Sequence, residues 1–254
     1  TRVMMKRLFA AAALATALTG GPAAAQNAQQ WTAQTAGETR LAYAVFPPGL
    51  AVIARCQGGQ TLELLIQGLA VQAPTVEGLA QFDDHPAQDV TWTRSADGRY
   101  LIADHAPMLI RGLAASRLAH IQIGADADTG VPFSFPPPSD GAPLLALLDA
   151  CGQPRVSARD TAEFFPMPAE GGFVREPHFR LPPRAVQANI SGWAQVTCLV
   201  AEGGRLTECE VEDESPRGLG FGEAALATMP SVILSPDIPV GRLVAIKLIS
   251  HLNE

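Results

Sequence analysis

Lysine is almost missing from this 254-residue chain, with Lys6 and Lys247 its only two. No basic cluster stands anywhere in its body, so no positive face exists to neutralise phosphates, and a nucleic-acid partner is not expected. Charged residues make up only 17%, yet 47% hydrophobic residues exclude a disordered chain. Beyond residue 25 no stretch approaches 18 consecutive apolar residues, so nothing there reads as a membrane-spanning helix. Chemical signatures are missing as well. There is no Cys-x-x-Cys, His-x-His or His-Glu-x-x-His, which removes the common zinc patterns. No Gly-x-Ser-x-Gly elbow offers a serine nucleophile. No metal, cofactor or catalytic residue is therefore expected.

What is present begins with an address. Lys6-Arg7, the apolar run Leu8–Leu18, Thr19-Gly20-Gly21-Pro22 and Ala23-Ala24-Ala25 describe a secretory signal cleaved after Ala25. The apolar run is too short to cross about 30 Å of hydrocarbon, and Gly-Gly-Pro breaks it. The expected product is periplasmic and lacks a transmembrane anchor. Loss of residues 1–25 removes Arg2, Lys6 and Arg7 but no acid, leaving 15 basic against 25 acidic residues, a net charge of −10. Four cysteines follow, at 56, 151, 198 and 209. An even count in an exported chain suggests disulfides, and four cysteines allow three connectivities. Spacing favours Cys56–Cys151 with Cys198–Cys209, against the alternative of four buried thiols.

Glycine and proline together supply 44 residues, which predicts many turns and few long helices. Strands are predicted over Leu41–Phe46, Leu50–Arg55, Thr61–Ile66, Val90–Arg94, Tyr100–Asp104 and Leu118–Ile123, punctuated by Pro47-Pro48-Gly49, Gly58-Gly59 and Ala96-Asp97-Gly98. Short helices are predicted over Pro107–Ser116 and Ala142–Cys151, the second bringing Cys151 to the Cys56 strand. Residues 30–151 thus read as a mainly β domain. Residues 152–175 have the Pro- and Gly-containing composition of a linker, complicated by Phe164, Phe165 and Phe173, which suggest that it lies along a domain. Residues 176–254 read as a small α+β domain. A helix over Pro182–Ile190 precedes an alternating strand Trp193–Val200, a turn at Glu202–Arg205, a strand Leu206–Glu214, a helix Gly220–Met229 and a last strand Arg242–His251.

Leu181-Pro182-Pro183-Arg184-Ala185, Gly192, Gly204-Arg205-Leu206, the acidic strand, Gly222-Glu223-Ala224-Ala225-Leu226 and Leu234-Ser235-Pro236 occur here in order. Over about residues 176–254 the chain resembles the TonB C-terminal domain family. The resemblance implies a non-enzymatic module that binds an extended peptide of an envelope protein, an outer-membrane transporter among the candidates. It points to the last strand as the acceptor. With only three strands available, Arg242–His251 is expected at a sheet edge, where unpaired backbone groups can take an added strand. Arg242, Val244, Ile246 and Leu248 are the candidate partner-binding residues. The edge could equally be covered by the linker or by a second copy in a homodimer.

The remaining constellations have plain readings. His85 beside Asp83 and Asp84, with Asp89 near, is expected in a solvated loop rather than a metal site, since Pro86 follows. Gly218-Leu219-Gly220-Phe221-Gly222 suggests a phosphate loop, but five acids in the preceding stretch Glu208–Glu214 make it a turn and helix entry. In the hairpin, a two-residue turn at Gly203-Gly204 sets Cys198 opposite Cys209, Val196 opposite Val211 and Val200 opposite Thr207. A four-residue turn would set Cys198 opposite Thr207. Either even loop puts Thr207, Cys209 and Val211 inward, with Glu208, Glu210, Glu212 and Glu214 on the wet face, open to a basic partner or Ca²⁺. Trp31, Trp92 and Trp193 are expected in the core or at a domain contact. Beside the interaction reading stands a periplasmic enzyme or ligand-binding protein whose site lies in the N-terminal β domain.

Overall fold

The computed structural model describes residues 30–47, 49–124, 131–162, 164–165, 167–168 and 171–250. The signal segment therefore lies outside the described residues. The chain is mainly β, with a large antiparallel sheet followed by a small α+β unit.

The large sheet is built from β1 (Thr32–Ala36), β2 (Thr39–Phe46), β3 (Leu50–Gln57), β4 (Thr61–Gln67), β5 (Thr75–Phe82), β6 (Gln88–Arg94), β7 (Tyr100–Ala103), β8 (Ala119–Ile123) and β9 (Val131–Phe135). Its strand order is β1-β2-β3-β4-β7-β6-β5-β8-β9. Helices α1 (Ala106–Ala115) and α2 (Ala142–Ala150) pack on each other and on this sheet. β3 shows why the pattern was readable: its residues alternate between buried and half-buried up to the exposed Gln57. β1, β5 and β9 carry no such signal in the sequence. β1 is exposed throughout, and the inward row of β5 runs from the half-buried Val76 through the small Gly78 and Ala80 before reaching Phe82. In β9, Pro132 interrupts the apolar residues, and it is accommodated because β9 is an edge strand. The sheet curls until Phe46 on β2 meets Phe135 on β9, with ring centroids 4.2 Å apart. α1 lies so close to β5 that a Cβ at Gly112 would stand 2.4 Å from the Phe82 ring.

The α+β unit comprises β10 (Phe173–Arg175), α3 (Pro183–Ala188), β11 (Gly192–Val200), β12 (Leu206–Ser215), α4 (Phe221–Thr228), β13 (Ile233–Leu234) and β14 (Leu243–Ser250). β12, β11 and β14 form one antiparallel sheet in that order, and β10 pairs with β13 apart from it. Even-numbered residues of β11 and β14, among them Val196, Cys198, Val244 and Ile246, share a core with Phe221, Ala225 and Met229. Trp31 and Trp92 sit in the other core, that of the large sheet. Cys56 is bonded to Cys151 and Cys198 to Cys209, with Cα separations of 5.8 and 4.1 Å.

The β11–β12 hairpin departs from both even-loop registers. Its turn closes on a three-residue stretch, Glu202–Gly204, which sets Val200 opposite Leu206 rather than Thr207. An odd loop alone would turn every later side chain to the wrong face. A bulge at Glu208-Cys209, with Glu208 at φ 48°, restores the register, so Val196 does face Val211. A second bulge at Glu212 shifts it again, setting Gln195 opposite Asp213 and Ala194 opposite Glu214. The acidic row is thereby broken up. Leu206 becomes the buried residue at the start of β12, Glu214 turns toward α4, and Asp213 is buried on the opposite face.

Candidate functional site

That opposite face of the small sheet is not wet; it lies against the large-sheet unit. Arg111, in the middle of the otherwise apolar α1 and 4% exposed, donates to Asp160 at 2.7 Å and to Glu212 at 2.8 Å. Arg159 donates to the Thr197 carbonyl at 2.6 Å and pairs with Glu210 at 3.3 Å. Asp213 accepts from Gln153 and Arg217, both at 2.8 Å, while Arg217 also reaches the Cys151 carbonyl. The acids of β12 do meet a basic partner, and it is this chain. Residues 152–175 are accordingly no loose tether where they carry Gln153 and Arg159, which are 7% and 9% exposed.

Beside these pairs the two units leave a cavity of about 120 Å³, lined by Thr61, Asp104, His105, Trp193, Gln195, Asp213 and Lys247 among others. His105 enters α1 at φ 53°, and a nitrogen of its ring accepts from the Gln195 side-chain Nε2–H at 3.0 Å. The Lys247 side chain is exposed overall, but its ammonium lies 4.4 Å from the centre of the Trp193 ring. Desolvation of that ammonium beside the ring lowers its pKa, against the opposing pull of Asp104 and Asp213. Burial also pushes the Asp213 carboxyl up to about 7, although Arg217 and the Glu214 N–H draw it down. A wider open groove of about 510 Å³ runs past Gln153, Arg184, Glu212, Glu214 and Arg217. Three of its acids are engaged: Glu212 with Arg111, Asp213 with Arg217, and Glu214 with backbone N–H groups. No group of three or more His, Cys, Asp or Glu suited to a metal occurs among the described residues.

The glycine-rich turn holds an anion after all, supplied from within. Glu214 accepts from the Gly222 N–H at 2.6 Å and the Gly218 N–H at 3.3 Å, so its carboxylate occupies the start of α4. Asp83, from the His85 loop, accepts from the Arg117 and Leu118 N–H groups at 2.9 Å, and serves the turn before β8.

β14 is an edge of its sheet, as β12 is on the other side. The proposed partner residues divide by backbone direction. The Arg242 carbonyl accepts from Val200, and the Leu243 carbonyl accepts from Phe165 at 2.7 Å on the far side. Because N–H and C=O groups alternate sides along an antiparallel strand, even-numbered residues of β14 bond to β11 and odd-numbered ones face outward. Val244, Ile246 and Leu248 thus spend their backbone on β11 and bury their side chains, at 0, 5 and 5% exposure. Their backbone groups are therefore not the ones left for an added strand. The outward groups belong to Leu243, Ala245, Lys247 and Ile249, of which Ile249 is 57% exposed. No strand pairs with the last three among the described residues. Periodicity marked the strand, and the small number of strands its edge position; the hydrogen-bonding parity depends on where β11 docks and left no trace in the sequence. Arg111 and Lys247 each stand as a lone charge in an apolar segment, whereas Arg159 and Arg217 lie among other charges and carry no such signal.

No family model matches the chain. Over 47 residues it is 49% identical to an uncharacterized protein of Caulobacter vibrioides, a match covering 17% of this chain and 47% of that protein. The chain thus spans about half the length of the curated relative it matches. Among solved structures it is weakly similar to the TonB C-terminal domain of Pseudomonas aeruginosa determined by solution NMR, with a TM-score of 0.26 and 21% identity over 31% of this chain and 87% of that one.

Proposed function

We propose that this is an exported, non-catalytic protein-interaction protein, which takes an extended peptide of an envelope partner onto the outer edge of β14. The observation that carries the reading is the row of outward backbone groups at Ala245, Lys247 and Ile249, without a strand partner among the described residues. Such an edge is a template for strand addition, with backbone bonds supplying affinity. The ordered motifs over residues 176–254 support the same strand, and the disulfides suit an oxidising compartment such as the periplasm. The non-catalytic part rests on the ionisable groups between the two units being committed to one another. No helix among the described residues is long and apolar enough to cross a membrane.

The test is amide-shift mapping of residues 176–254 with candidate envelope peptides, including segments of an outer-membrane transporter. Shifts are expected along Leu243–Ser250. Ala245→Pro removes an outward donor while sparing the β11 ladder, and is expected to abolish them. Binding that persists unchanged in a folded Ala245→Pro variant, or shifts that cluster in residues 30–151, would show that the edge is not the acceptor. The cavity beside Lys247 favours a second reading, a small-ligand protein. Shifts at Asp104–Ala106 and Trp193 with small molecules, and none with peptides, would select it.

A further inference from the structure

The head of the β14 edge is already occupied. Phe164 forms a parallel bridge with Leu243, and the Phe165 N–H donates to the Leu243 carbonyl at 2.7 Å. Two adjacent residues of an extended segment send their side chains to opposite sides. Here the two sides are the two cores. Phe164 packs on the large-sheet core, its ring 6.0 Å from that of His105, whereas Phe165 packs on the core under α4. Both rings are only half-buried, so they rest on the cores without being built into them.

We infer that Phe164-Phe165 is a built-in latch, an intrachain strand segment that closes the first position of the β14 edge to any incoming strand until both rings withdraw. The inference rests on the strand-addition reading and adds its regulation. A tethered segment competes at an effective concentration on the order of millimolar, so a peptide of equal intrinsic affinity offered in micromolar amounts does not displace it. The latch also specifies the occupant that this position favours: an extended segment with two neighbouring large apolar side chains, one for each core. A partner strand either stops short of Leu243 or carries such a pair.

The chain supplies its own probe. A labelled synthetic peptide of residues 159–168 is titrated into the full-length wild type and into a Phe164→Ala/Phe165→Ala variant whose fold is checked by circular dichroism. The variant is expected to bind at least tenfold tighter than wild type, and a peptide with both phenylalanines replaced by alanine is expected to bind neither. Should the double variant not fold, Phe164→Ala alone is read in the same way, with at least a threefold gain expected. Equal affinity for wild type and a folded variant overturns the latch. A second titration with envelope peptides separates it from the reading on which it rests. Envelope peptides that bind wild type and variant equally well along Leu243–Ser250 overturn the latch and leave strand addition standing. Binding of the 159–168 peptide by the variant, without binding of any envelope peptide, upholds the latch and refutes the proposed partner class.

Discussion

Arg111 bridges the two units through two carboxylates, and replacing it by methionine gives a worked test. The guanidinium is 4% exposed, and its partners Glu212 and Asp160 have side chains 10% and 20% exposed. Methionine keeps most of the apolar stem that packs within α1 but leaves two carboxylates without a cation. Breaking a buried pair by removing one partner costs about 3–5 kcal/mol, mostly as the penalty of the orphaned charge. Asp160 retains some access to water and also accepts from the Ser157 N–H, which favours the lower end of that range. A loss of about 3 kcal/mol is expected, a factor of about 160 in the folding equilibrium. With a urea slope of about 2.5 kcal/mol/M, the midpoint falls by roughly 1.2 M. Adding Glu212→Gln to the methionine variant removes one orphan, and the double variant is expected to recover about 1 kcal/mol instead of losing more. Urea titration followed by tryptophan fluorescence measures all three proteins. A midpoint shift under about 0.3 M for the single variant, or additive losses in the double, would show that these charges are solvated and that the contact is held by packing alone.

Three other outcomes are expected. Thiol titration of denatured, unreduced protein should find no reactive cysteine, and Cys56→Ser/Cys151→Ser should lose up to about 4.6 kcal/mol on the chain-entropy account for a separation of 95 residues; four reactive thiols would refute the pairing. Asp213 holds its proton in the folded chain up to about pH 7, while the unfolded chain releases it near the ordinary 3.8. The unfolded state therefore binds fewer protons between those values, so this group lowers stability as pH rises from about 4 to 7 and has no further effect above. Melting curves across that window should flatten in Asp213→Asn; an unchanged slope would rule the group out. Glu214→Ala should cost about 1–2 kcal/mol in thermal unfolding and Glu214→Gln less, since the amide still accepts from Gly222 without the charge that suits a helix start; equal losses would mean that charge plays no part.

Local pattern alone located most of the chain's architecture. Alternation placed β2, β3, β4, β11 and β14, because one buried face imposes a period of two on the sequence. Cysteine spacing favoured the two pairs that stand at bonding distance, since each closes within one packed unit. β1 and β5 were silent, for a strand exposed throughout and one whose inward row runs through glycine and alanine leave little amphipathic signature. The fate of the acidic strand was beyond local reading altogether. Which of its acids face solvent depends on a three-residue turn and two bulges, each of which exchanges the faces, and then on whether another unit covers the outward one. Arg111 and Arg159 cover it from positions 101 and 51 residues distant from their acids along the chain, and Arg217 from four, and the two distant ones are brought there only by the folded molecule. The same holds for β14. Its sequence specified a strand with one apolar face, but docking on β11 decided which backbone groups are spent inside the sheet and which remain for a partner.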